Sequence, residues 1–115
     1  MTKAKMTKAQ SVLKKFARQE TSATRKAMGN DYEESMGLTF NLMSDERLKE
    51  EHEGAVACII CDGGNAYNIL NNTYFSDEFG SFDHSKELEK LNTMLKEKGF
   101  MIEPYSSCFH VVYED

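Results

Sequence analysis

The chain has no tryptophan, a single proline and an odd number of cysteines, three, among its 115 residues. It also lacks any apolar run approaching the roughly 20 residues that span a bilayer. Each shortage removes a class of protein. A disulfide framework in a small secreted domain uses an even cysteine count, so none is expected here. Cys58, Cys61 and Cys108, two of them inside apolar runs, point instead to a reducing, cytoplasmic compartment. No apolar h-region follows the basic N-terminus, so a secretory signal is not expected. Residues 1–30 share the basic, acid-poor, Ser/Thr-containing character of transit peptides, but the chain opens at Met1 and is expected to keep them. There is no internal repeat, and no low-complexity segment beyond the Lys/Ala/Thr-rich first nine residues.

What is present is a soluble composition, 40% apolar and 29% charged, of a size to bury one modest core. The net charge of −5 conceals a sharp break near residue 30. Residues 1–30 carry Lys3, Lys5, Lys8, Lys14, Lys15, Arg18, Arg25 and Lys26 against Glu20 alone, a net +7. Residues 31–115 hold the other six basic residues and eighteen acids, a net −12. We therefore divide the chain into a basic amphipathic helix or arm, 1–30, and an acidic α+β domain, 31–115. Such asymmetry speaks to partners rather than to fold.

Thr7-Lys8-Ala9-Gln10 reads as a capping box and predicts one helix over 7–28, with Thr21-Ser22 the candidate point of interruption. Ala9, Val12, Leu13, Phe16 and Ala17 fall on one side of that helix, and Lys8, Ser11, Lys14, Lys15 and Arg18 on the other. Leu38 to Leu42 alternates as a short strand would. Ser44 caps an acidic helix from Asp45 to Glu53, stopped by Gly54. Ala55 to Cys61 is apolar on both faces, the mark of a central strand. Asp62-Gly63-Gly64-Asn65 is a turn signal, after which Ala66 to Leu70 is expected to pair back as a hairpin. Leu88, Leu91, Met94 and Leu95 predict an amphipathic helix ending at Gly99. Phe100 to Glu103 and Cys108 to Tyr113 read as a second hairpin, with the lone proline, Pro104, at a strand end. The expected class is α+β: an antiparallel sheet of about four strands in two hairpins, a central amphipathic helix and a basic N-terminal helix.

No catalytic constellation stands out. Cys58-Ile-Ile-Cys61-Asp-Gly-Gly resembles half of a zinc knuckle, which Cys108 and His110 would complete. An extended strand sends Cys58 and Cys61 to opposite faces, so the expectation is three small buried thiols and no metal. Cys108 and His110 lie about 7 Å apart along a strand, too far for a direct nucleophile–base pair. His52 and His84 sit beside acids and read as solvated surface groups. No cofactor is expected, and membrane binding is disfavoured because the basic helix's apolar side lacks tryptophan.

Two surfaces remain. Lys8, Lys14, Lys15, Arg18, Arg25 and Lys26 can neutralise phosphates, or else face the protein's own acidic body. Tyr74, Phe75, Asp77, Glu78 and Phe79 combine acids with aromatic anchors of the kind that dominate protein interfaces. The reading is a small non-enzymatic cytosolic binding protein. It is in the style of phage or mobile-element inhibitors that occlude a host nucleic-acid-handling protein, using the acidic-aromatic loop on a protein or nucleoprotein partner. The alternatives are a nucleic-acid-binding regulator that uses the basic helix, and a small zinc-binding protein.

Overall fold

A computed structural model describes residues 3–34, 37–61, 64–71 and 84–115. Helix α1 (Lys3–Met28) leads through a 3₁₀ turn (Gly29–Asp31) to strand β1 (Asn41–Leu42), helix α2 (Asp45–Glu51) and strand β2 (Ala55–Ile60). Helices α3 (Gly64–Leu70) and α4 (His84–Glu97) and strands β3 (Phe100–Pro104) and β4 (Phe109–Glu114) complete the described elements. The protein is α+β, with a four-stranded antiparallel sheet in the order β1-β2-β4-β3.

The sheet separates two apolar layers. On one side Ala57, Ile59 and Val112 pack with Ala9, Val12, Leu13, Phe16 and Ala17 of α1, with Ile69 and Leu70 of α3, and with Leu91 and Leu95 of α4. On the other, Ala55, Cys58 and Val111 meet Leu48 of α2, Met43 and Met6. The alternation slips at one point. Register shifts between Ala55 and Ala57, and Val56 and Ala57 both join the α1 layer. A bulge of this kind turns two successive side chains to one face. Leu13 and Phe16 have no exposed surface. Burial of each contributes about 1.5–3 kcal/mol toward holding α1 on the sheet.

Helix ends follow the sequence closely where a local signal sets them. The Ser44 hydroxyl accepts from the Arg47 N–H at 3.3 Å. Gly99, at φ +86°, follows α4, and the buried Phe100 opens β3 directly after it. Three expectations need correction. Helix α1 begins at Lys3, upstream of the Thr7 box, and runs unbroken through Thr21-Ser22. The Thr21 hydroxyl bonds a neighbouring loop rather than its own helix, so it does not compete with the helical ladder. Helix α2 closes at Glu51, two residues early.

The third correction concerns Ala66–Leu70, which forms a helix, not the return strand of a hairpin. Both edges of β2 are already taken, by β1 and β4. Ala66, Ile69 and Leu70, all buried, also follow the i, i+3, i+4 stripe of a helix. Of the two expected hairpins, β3–β4 is present.

The only acid of α1, Glu20, is buried and paired with Lys90 of α4 at 2.8 Å. That hydrogen bond raises the lysine's pKa above its ordinary value. Removing the lysine strands a buried carboxylate, whereas removing both charges does not. Lys90→Met is expected to lower stability by about 1–2 kcal/mol, the half-exposed lysine limiting the loss. Glu20→Gln/Lys90→Met should recover most of it, as read by urea unfolding.

Candidate nucleic-acid interface

The basic side of α1 forms one wall of a groove of about 470 Å³. Lys14, Arg18, Thr21, Ser22 and Arg25 lie on that wall at i, i+4, i+7, i+8 and i+11, one continuous helical stripe. The opposite wall is the segment Leu38-Thr39-Phe40, and Ala17 completes the floor. The site therefore pairs three cations with an apolar base.

Two contacts place the second wall. The Thr21 hydroxyl accepts from the Leu38 N–H at 2.8 Å and donates to the Leu38 carbonyl at 3.2 Å. Both polar groups of a buried residue are thereby satisfied by one side chain on α1. Phe40 lies parallel to the fully buried Phe16, with 5.9 Å between ring centroids and 6° between planes. Gly37 allows the close approach. A Cβ there would come within 3.2–3.3 Å of the Tyr32 hydroxyl, the Glu34 carbonyl and the Thr21 methyl group.

The predicted cations divide among different roles. Lys14, Arg18 and Arg25 line the groove, and Arg25 rests over the Tyr32 ring at 4.8 Å. Lys15 and Lys26 are exposed on α1 outside it. Lys8 stands 6.0 Å from the centre of the Phe100 ring. Contacts with the acidic body come from further along the helix toward its start: Lys5 pairs with Glu114 at 2.8 Å, and Gln10 donates to Asp45 at 3.4 Å. Among the described residues, Lys14 and Arg18 make no ion pair. Leu38, Thr39 and Phe40 were expected only as part of a short strand. Their alternation marks them as structured, but nothing local ties them to Thr21.

The residues of the acidic-aromatic surface, Tyr74, Phe75, Asp77, Glu78 and Phe79, lie outside the described residues.

The cysteines and histidines are distributed as follows. Cys58 belongs to the α2 layer and Cys61 to the α1 layer, on opposite sides of the sheet. Burial pushes the Cys58 thiol up to about 11, so it stays protonated at neutral pH. Cys61 Sγ reaches the Ser107 carbonyl at 3.4 Å, which also accepts from Asn71 Nδ2 at 2.8 Å. Cys108 is half-buried in the β3–β4 turn, one residue outside the strand predicted for it. Among the described residues, no three His, Cys, Asp or Glu side chains gather where a metal ion would be held. His52 is buried rather than solvated, edge-on to Tyr105 with 4.8 Å between ring centroids. Its position as the C-cap of α2, facing the β3–β4 turn, explains the difference.

His110 is 2% exposed, and its Nε2 has no hydrogen-bond partner. Burial lowers the imidazole's pKa below the ordinary 6.5, against a smaller raising effect of a hydrogen bond to the Ser107 backbone. On acidification the unfolded chain therefore binds this proton first. The stability linked to His110 is complete above about pH 6.5 and declines as pH falls below it, until the folded imidazole also protonates. The slope is at most about 1.4 kcal/mol per pH unit for one proton. Urea midpoints measured from neutral pH into the acid range should fall less for His110→Leu than for the wild type.

No protein-family model matches the chain, and neither the curated proteins nor the solved structures include a match.

Proposed function

We propose that the protein is a non-enzymatic binder of nucleic acid that engages phosphates through the groove side of α1. The observation that supports this reading is the convergence of Lys14, Arg18 and Arg25 on one groove while, among the described residues, the α1 side chains that meet carboxylates of residues 31–115 are Lys5 and Gln10. A solvated stripe serving only solubility has no need of a shaped second wall. The opposite charge of residues 31–115 would repel a polyanion everywhere else, orienting it toward α1 and accelerating encounter. A role in blocking a nucleic-acid-handling protein through the acidic-aromatic loop is a separate reading, resting on residues 74–79, and no observation on the groove favours it.

Binding of labelled nucleic acid, followed by fluorescence anisotropy, should weaken steeply with salt. Three neutralised phosphates give a slope of log affinity against log salt of about −2 to −3. Lys14→Glu/Arg18→Glu should abolish measurable binding at low salt, while Lys49→Glu, on α2, leaves it intact. Unchanged affinity in the double variant would remove the groove from the account.

A further inference from the structure

We infer that the ligand is a single strand, held with one base against Phe40 and its backbone along Lys14, Arg18 and Arg25. The inference rests on the nucleic-acid reading above and goes beyond it in naming the strand state and the stacking residue. Phosphates alone account for the cations but not for the floor. Ala17, Leu38 and Phe40 form an apolar surface between the charged side chains, and water gains nothing by covering it. A paired duplex offers such a surface only its charged backbone and its polar groove edges, because its base faces are stacked on one another. An unpaired base offers a π-face.

Phe40 is built for that contact. Its ring lies parallel to Phe16, and the partly buried residue also lines the groove. A base added there would extend an aromatic column already anchored in the core. The ring is also held at its root, since the Thr21 clamp on Leu38 lies two residues away. Ordering costs on binding are therefore small.

Lys14 and Arg25 are eleven residues apart, about 16 Å along a helix rising 1.5 Å per residue. At the stacked rise of about 3.4 Å that covers about five phosphates of one strand, and fewer of an extended strand, so the span sets the size of the site while the apolar floor sets the strand state. Ser22 and Thr39 are exposed beside the floor. A hydroxyl both donates and accepts, so these two residues tolerate any base edge. The site is thus expected to bind single strands with little sequence preference.

The test compares an oligo(dT) and an oligo(rU) of about 12 nucleotides, within the usual single-strand site range, with a DNA duplex of the same length. Wild-type protein should bind the single strands more tightly than the duplex. Phe40→Leu should weaken single-strand binding about fivefold or more while leaving duplex binding nearly unchanged. Phe40→Tyr, which keeps the ring, should restore it. Equal affinity for single strand and duplex, or a Phe40→Leu protein that folds and binds oligo(dT) as the wild type does, would overturn the inference and leave the phosphate-binding reading standing. Binding of neither form at low salt would overturn both. Should Phe40→Leu fail to fold, Phe40→Met and the wild-type comparison decide. A wild type without single-strand preference, or a folded Phe40→Met protein that binds oligo(dT) as tightly as the wild type, counts against the inference; a wild-type preference that Phe40→Met loses counts for it.

Discussion

Everything on the basic face depends on the burial of one helical stripe. Ala9, Val12, Leu13, Phe16 and Ala17 are pressed against β2, β4 and α4, and Leu13 and Phe16 are wholly enclosed. A helix fixed on one side has no rotational freedom, so the residues opposite that stripe are committed to solvent. The ion pair between buried Glu20 and half-exposed Lys90 fixes the second half of α1 to α4 as well. The cations therefore occupy a rigid surface rather than a loose arm, and pre-organised charge binds at lower ordering cost than charge on a flexible chain.

The groove adds a second constraint of a different kind. Segment 37–40 has few regular hydrogen bonds of its own before β1, and its position is set from α1 by the Thr21 hydroxyl and the Phe16 ring. The same helix thus supplies the charges, the hydroxyl clamp and the anchor for the aromatic floor. Gly37 is the residue whose missing side chain lets the two walls approach.

These relations explain what could be read from the sequence. The helix stripes, the Ser44 cap, the Gly99 stop and the apolar-on-both-faces β2 are local patterns, and the structure contains them. The opposed placement of Cys58 and Cys61 followed from strand geometry alone. Ala66 to Leu70 misled because the Gly-Gly turn signal was weighed above a three-residue helical stripe, and because the edges of β2 are filled by strands distant in sequence. His52 misled because its neighbours in the chain are acids, while its neighbour in space is Tyr105. The cations of the site were legible as charge. Their partners Thr21, Thr39 and Phe40 were not, since a groove is a relation between residues 14–25 and 38–40 that only packing creates.

The central claim is that α1 and segment 38–40 act together as one polyanion-binding surface. Its most direct measurement is backbone amide chemical-shift mapping on isotope-labelled protein titrated with a short oligo(dT). The account predicts salt-sensitive shifts concentrated at Lys14, Arg18, Thr21, Arg25, Thr39 and Phe40, with the β3–β4 turn unmoved. Shifts confined to that turn or to α2, or spread evenly over every exposed lysine, would contradict it.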